Sequence, residues 1–93
     1  MCTLTQQVRP HPEVVDTELA DGETVLLHLG STTYYSLNIT GTRIWQGLKQ
    51  GHTLLEISYR LQEEFAVDTA RAQQSVLALI NELSTHQLVQ RPD

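Results

Sequence analysis

The chain changes its hydrophobic period once, and this change limits the folds it can adopt. Residues 13–37 contain three short runs rich in β-branched and aromatic residues, separated by Asp21-Gly22 and Gly30-Ser31. After Asn38 the apolar residues recur at helical spacing, beginning with Ile44, Trp45 and Leu48. Short β-prone runs joined by tight turns predict antiparallel strands, and a group of strands followed by a group of helices predicts an α+β domain.

Capping residues divide the second half of the chain into three helices. The first is predicted from Thr40 to Gln50, where Gly51 can take the left-handed conformation that ends a helix. Thr53 with Glu56 three residues later is a capping box, and Asp68 can cap the third helix. The apolar stripes are Leu54, Ile57, Leu61 and Phe65 in the second helix, and Ala72, Val76, Leu79, Ile80 and Leu83 in the third. We therefore predict a three-stranded antiparallel β-meander followed by three helices.

The length of 93 residues predicts one domain. Residues 1–12 are polar and carry Pro10 and Pro12, so we expect a flexible N-terminal arm. Residues 13–91 are expected to form the single domain, with Leu88-Val89 returning to its body.

Charge and cysteine usage exclude several classes of function. The net charge is −5, and no two basic residues are adjacent. Nucleic-acid binding and attraction to anionic membranes both require clustered positive charge, so neither partner is expected. Cys2 is the only cysteine, which excludes an intrachain disulfide. The N-terminal residues do not resemble a secretory signal and no apolar run is long enough to span a membrane, so we expect a cytoplasmic protein.

The sequence carries no catalytic or metal-binding motif. Its four histidines lie in different predicted elements and none is paired with another at helical spacing: His11, His28, His52 and His86. Metal sites and acid–base catalysis need convergent polar groups, which this pattern does not indicate. We predict no catalytic residue, no metal site and no cofactor.

The third predicted strand, Thr33 to Leu37, is the first candidate for a binding surface. Neighbouring residues of a strand point to opposite faces, so Tyr35 and Leu37 are expected on the core face and Tyr34 and Ser36 on the outer face. Tyr34 either covers the sheet or contacts a ligand. If this strand is at the sheet edge, its unpaired backbone groups can accept a peptide as an additional strand.

The third predicted helix is the second candidate. Leu77 lies beside its main apolar stripe and is either peripheral core or part of a groove floor. Gln73, Gln74 and Asn81 lie near it on the helix surface. Arg71, in the first turn, is either solvated or paired with an acidic residue of a ligand.

Residues 14–89 resemble the PqqD-like family in the order and spacing of their landmarks. The most specific is the run Y-S-L-N-I-T-G-T-R-I-W, residues 35–45. The others are the Gly22 turn before Val25-Leu26-Leu27, then Gly51, Thr53 to Ile57, and Leu79, Leu83 and Leu88-Val89. The Tyr-Tyr pair before Ser-Leu-Asn is more similar to the free-standing members of lasso-peptide gene clusters than to the pyrroloquinoline-quinone member.

This resemblance implies a winged helix-turn-helix-like shape that binds the leader segment of a ribosomally made precursor peptide. The implied site is a cleft between the third strand and the third helix. Its candidate residues are Thr33, Tyr34, Tyr35, Ser36, Leu37, Arg71, Gln73, Gln74, Leu77 and Asn81. The implied partners are the leader, a separate leader protease and a cyclase. The alternatives are a peptide chaperone of pyrroloquinoline quinone biosynthesis and a winged-helix DNA-binding regulator.

Overall fold

The computed structural model describes residues 8–90 and confirms the predicted α+β architecture. A three-stranded antiparallel sheet is followed by three helices, and a separate two-stranded sheet joins the two ends of the described chain. In chain order the elements are β1 (Arg9–Pro10), β2 (Val14–Glu18), β3 (Thr24–His28), β4 (Thr33–Leu37), α1 (Ile39–Lys49), α2 (Leu54–Phe65), α3 (Thr69–Thr85) and β5 (Val89–Gln90).

The two hairpin turns use different residues to reverse the chain. Gly22 has φ +89°, and the Asp21 carboxylate accepts a hydrogen bond of 3.0 Å from the amide of Glu23. In the second turn the left-handed conformation falls on Thr32, at φ 54°, rather than on Gly30. Both turns lie where the sequence predicted them, and together they fix the strand order β2-β3-β4.

Each helix begins at a side chain that caps its backbone. The Asn38 side chain accepts from the amide of Gly41, and the Asp68 side chain accepts from the amide of Arg71. Thr53 and Glu56 form the predicted capping box. Helix α1 spans Ile39–Lys49, one residue earlier at each end than predicted, and Gly51 follows it at φ +84°.

The core lies between the inner face of the three-stranded sheet and the helices. Its largest members include Leu26, Trp45, Ile57 and Ile80, each at most 2% exposed. The Trp45 indole donates a hydrogen bond of 3.0 Å to Asp16, whose carboxylate also pairs with Lys49 at 2.6 Å. Burial alone would raise the pKa of Asp16, but these two hydrogen bonds outweigh burial and lower it. This cluster attaches β2 to α1.

Residues 8–12 belong to the folded domain, whereas we expected them in a flexible arm. Val8 is 1% exposed in the core, and β1 pairs with β5 in antiparallel register. The amide of His11 donates to the carbonyl of Leu88 at 3.0 Å. Burial of an apolar side chain and these backbone hydrogen bonds hold the segment in place. Residues 1–7 of the predicted arm, and residue 91 of the predicted domain, lie outside the described residues.

Within residues 8–90, every helix is too short or too polar to cross a lipid bilayer.

Candidate functional site

Strand β4 is an edge strand. It pairs with β3 on one side, and no strand within residues 8–90 pairs with its other side. Its side chains alternate as predicted: Leu37 is buried and Tyr35 partly buried on the inner face, while Tyr34 and Ser36 are exposed on the outer face. A strand of five residues offers an edge about 17 Å long for pairing.

The hydrogen-bond register shows which backbone groups of β4 face outwards. The amide of Leu29 donates to the carbonyl of Glu13, and the amide of Leu19 donates to the carbonyl of Glu23. Odd-numbered residues of β3 and its extensions therefore bond to β2. Even-numbered residues of β3 must therefore bond to β4, because antiparallel strands alternate their partners.

In the β3–β4 register the even-numbered β3 residues are opposite Thr33, Tyr35 and Leu37. The backbone N–H and C=O groups of Tyr34 and Ser36 consequently point away from β3, towards the edge. These are the groups that an added strand would use.

A cleft of about 550 Å³ lies beside this edge, and we name it the β4–α3 cleft. Three elements contribute its lining: Tyr35, Ser36 and Leu37 from β4, then Asn38, Thr40, Gly41 and Ile44 from the β4–α1 junction and α1, and Ser75, Ala78, Leu79 and Glu82 from α3. A second depression, lined by Arg71, Gln74, Ser75 and Ala78, shares two residues with the cleft and continues it along α3.

The α3 side of the cleft is one continuous face of the helix. Its residues recur every three or four positions from Arg71 to Glu82, which matches the helical repeat. Over this range a helix rises about 16 Å, close to the length of the β4 edge. Ser75 and Ala78 are small and leave space, while Leu79 and Ile44 supply apolar surface. The cleft therefore suits a peptide in extended conformation with apolar side chains.

The two ends of the cleft are fixed by specific contacts. At one end the Tyr35 hydroxyl donates a hydrogen bond to the Glu82 carboxylate. This bond, with some burial, raises the pKa of Tyr35 to about 12. At the other end, a Cβ on Gly41 would lie 3.3 Å from both Leu37 and Asn38, so glycine permits the tight junction between β4 and α1.

The structure brings together about half of the site residues that the sequence predicted. Five of the ten line the β4–α3 cleft or the depression that continues it: Tyr35, Ser36, Leu37, Arg71 and Gln74. The other five line neither: Thr33, Tyr34, Gln73, Leu77 and Asn81. Contact of any of these ten with a peptide stays a prediction.

The geometry of a helix explains why Leu77 is outside the cleft. A helix turns about 100° per residue, so Leu77 points roughly 160° away from Ser75 and Leu79. Its side chain packs against the core, partly buried. Tyr34, 69% exposed, lies on the outer face of the sheet. Tyr34 and Leu77 therefore lie on different surfaces, and neither lines the β4–α3 cleft.

Sequence reasoning missed two groups of cleft residues. The α3 group comprises Ser75, Ala78, Leu79 and Glu82. Neither small or apolar helix residues nor a single surface carboxylate gives a signal of its own. The junction group comprises Asn38, Thr40, Gly41 and Ile44. All four belong to residues 35–45, the run that carries the family resemblance. That run therefore marks part of the cleft as well as the family.

Comparison with known proteins identifies the family of this chain. The model of the PqqD family, described as coenzyme PQQ synthesis protein D, matches residues 23–89. The chain belongs to the PqqD family. The matched residues include all of β3, β4 and the three helices, and thus every residue that lines the β4–α3 cleft.

Two solved structures are similar to this PqqD-family chain. One is TbiB1 in complex with the TbiA(beta) leader peptide, with a TM-score of 0.82 and 31% identity over 87% of this chain and 93% of that one. The other is a lasso peptide synthetase B1 complexed with the leader peptide, with a TM-score of 0.81 and 29% identity over 89% and 96%. No curated protein matches the chain. These similarities confirm the predicted family resemblance, including that to lasso-peptide members.

Proposed function

We propose that this protein binds the leader segment of a ribosomally made precursor peptide, of the lasso-peptide class, in the β4–α3 cleft. The observation that supports this most is the outward-facing backbone of Tyr34 and Ser36 beside the cleft. The two similar proteins were solved as complexes with leader peptides, and both share the fold that forms this edge.

The leader pairs with β4 as a fourth strand of the sheet. The backbone groups of Tyr34 and Ser36 hydrogen-bond to it, which gives affinity with little dependence on leader sequence. Alternate leader side chains enter the cleft, where Ala78 leaves space and Leu79 and Ile44 supply apolar contacts. Burial of apolar groups there adds affinity and selects the side chains that fit.

Charges at the two ends of the α3 face distinguish one end of the cleft from the other. Arg71, exposed in the first turn of α3, is available to an acidic leader residue. Glu82, near the opposite end of this face, is occupied by its hydrogen bond from Tyr35. Arg71 can therefore attract a negatively charged leader residue to its end of the cleft, and we propose that it helps to set the direction of binding.

The protein acts as an adaptor rather than as an enzyme. The side chains that line the cleft include one carboxylate and no histidine, cysteine or lysine. The serine and threonine hydroxyls of the lining have no histidine or lysine beside them there, and the carboxylate of Glu82 accepts from Tyr35, so the lining does not assemble the activated nucleophile that acyl transfer or hydrolysis needs. We propose that a separate leader protease and a cyclase act on the bound precursor. Holding the leader raises its effective concentration at those enzymes.

A second candidate function has a specific observation in its favour. The matching family model is described as coenzyme PQQ synthesis protein D, which favours a peptide chaperone of pyrroloquinoline quinone biosynthesis. The binding mode would be the same and the peptide different. The DNA-binding alternative is disfavoured, because the net charge is −5 and α3 has Arg71 as its only basic residue.

A fluorescence-anisotropy titration separates these functions. The probes are a labelled leader from the precursor encoded beside this gene, a labelled pyrroloquinoline-quinone precursor and a random DNA duplex. We expect saturable binding of the first, at micromolar or tighter concentration, and none of the duplex. Preferential binding of the second peptide would establish the chaperone function. Salt-sensitive binding of the duplex alone would contradict both peptide functions.

A further inference from the structure

Three potential metal ligands converge outside the β4–α3 cleft. His11 and Glu13 lie in the connection between β1 and β2, and His28 is the last residue of β3. Each offers a ligand atom, and the three atoms all lie within 4.8 Å of one another. The two imidazole rings are 4.6 Å apart between centroids and tilted by 42°. Residues separated in sequence are thus brought to one point by the β2–β3 register.

Backbone hydrogen bonds hold the segment that carries two of these side chains. His11 donates its amide to Leu88 at 3.0 Å and accepts at its carbonyl from Val14 at 3.0 Å. The carbonyl of Glu13 accepts from Leu29 at 2.9 Å, beside the Val14–His28 pair of the ladder. The three positions are therefore fixed by the fold, which reduces the ordering needed to bind an ion.

Gly30 leaves the space in which the Glu13 carboxylate meets the His28 ring. A Cβ on Gly30 would clash with Oε1 of Glu13 and would lie 3.1 Å from Cε1 of His28. His28 is 6% exposed, so the ring is a buried ligand, while Glu13 is exposed and can reorient. Within residues 8–90, the Glu13 carboxylate takes part in no ion pair.

We propose that His11, Glu13 and His28 bind one divalent transition-metal ion of the zinc type. Two imidazoles and a carboxylate suit zinc, nickel or copper better than magnesium or calcium, which prefer oxygen ligands alone. In a tetrahedral zinc site neighbouring ligand atoms are about 3.4 Å apart, and the half-buried His11 and exposed Glu13 side chains can adjust to that spacing. Water completes the coordination on the exposed side.

Both imidazole rings accept a backbone hydrogen bond that metal binding would break. Nδ1 of His11 accepts from the amide of Glu13 at 3.0 Å, and Nδ1 of His28 accepts from the amide of Ser31 at 3.3 Å. Ligation through Nε2 moves the ring proton to Nδ1, and ligation through Nδ1 occupies the accepting lone pair. Either way the amides of Glu13 and Ser31 lose their acceptor. We therefore expect the ion to bind with modest affinity and to change the NMR signals of these two amides.

The ion would join the segment before β2 to the turn that leads into β4. His28 is opposite Thr33, the first residue of β4, so the site lies at one end of the edge strand. The metal proposal does not rest on leader binding, so the two can be tested separately.

Isothermal titration of the untagged protein with Zn²⁺ tests the proposal. We expect one ion per chain, and binding weakened at least about tenfold in Glu13→Gln and in His11→Gln. His52→Gln is the matched control, because His52 also lies 3.7 Å from a carboxylate, that of Glu56, and is outside the cluster. It should bind Zn²⁺ as the wild type does.

Amide spectra provide the second readout. In ¹H–¹⁵N correlation spectra the signals of Glu13 and Ser31 should shift with Zn²⁺ in proportion to occupancy. The proposal is overturned if the protein binds no Zn²⁺ or if Glu13→Gln and His11→Gln bind it as tightly as the wild type. It is equally overturned if Cys2→Ser, rather than the two cluster variants, abolishes binding.

Discussion

The hydroxyl of Tyr35 donates a hydrogen bond to the carboxylate of Glu82, and this bond connects the edge strand β4 with helix α3 across one end of the cleft. The ring of His86 lies beside that of Tyr35, with centroids 5.4 Å apart. Strand β4 and helix α3 are the two walls of the β4–α3 cleft, so this contact helps to set their separation.

Removing this hydroxyl should destabilise the domain. We expect Tyr35→Phe to lower the free energy of unfolding by about 1 kcal/mol at pH 7, because a hydrogen bond to a charged acceptor is lost from a partly exposed site. Urea denaturation measures the change. Tyr34→Phe is the matched control and should change stability little, since Tyr34 is 69% exposed. Equal losses in the two variants would contradict the role assigned to Tyr35.

The same contact predicts a dependence on alkaline pH. The hydrogen bond to Glu82 and burial raise the pKa of Tyr35 from 10.0 to about 12 in the folded state. A raised folded pKa stabilises the protonated form, so the contribution is complete below pH 10 and is lost as the pH rises to about 12. The stability difference between the wild type and Tyr35→Phe should therefore shrink over this interval. A constant difference would argue against the contact.

Filling the cleft should abolish leader binding without unfolding the protein. Ala78 is an exposed residue of α3 that lines the cleft, and Ala78→Trp would place a large ring where leader side chains enter. We expect affinity for the leader to fall at least about tenfold in the anisotropy assay. Ala70→Trp, an exposed alanine of the same helix that does not line the cleft, should retain wild-type affinity. The cleft would not be the binding site if both variants bound equally well.

Proline at Ser36 should remove a hydrogen bond to the leader while sparing the sheet. The Ser36 amide points away from β3, so its loss leaves the β3–β4 ladder intact. We expect Ser36→Pro to keep its circular dichroism spectrum and lose at least about tenfold in leader affinity. Glu18→Pro, on the opposite edge strand β2, is the control and should bind normally. Unchanged affinity in Ser36→Pro would remove the added-strand mode.

Much of the fold was predictable because its signals are local. The Gly22 turn, the capping box of Thr53 and Glu56, and the Asp68 cap each depend on residues within a few positions of one another. The pairing of β1 with β5 was not predictable, because each strand has two residues and two residues carry no period. This is why the start of the domain was predicted too late.

The strand side of the site was predictable from the sequence, and the helix side was not. Strand alternation correctly assigned Tyr35 to the inner face, since a strand has two faces. A helix offers many directions, and the sequence could not show which one faces β4. Leu79 was predicted in the core stripe and lines the cleft, while Leu77 was considered for the groove and packs against the core.

Amide hydrogen exchange at β4 tests the central claim most directly. The exchange of Tyr34 and Ser36 would be followed by NMR, with and without saturating leader peptide, and Tyr35 and Leu37 serve as internal controls. An added strand predicts that the Tyr34 and Ser36 amides exchange at least about tenfold more slowly when the leader is bound. The Tyr35 and Leu37 amides, which bond to β3, should be protected in both states. If Tyr34 and Ser36 exchange at the same rate with the leader bound, the leader does not pair with this edge.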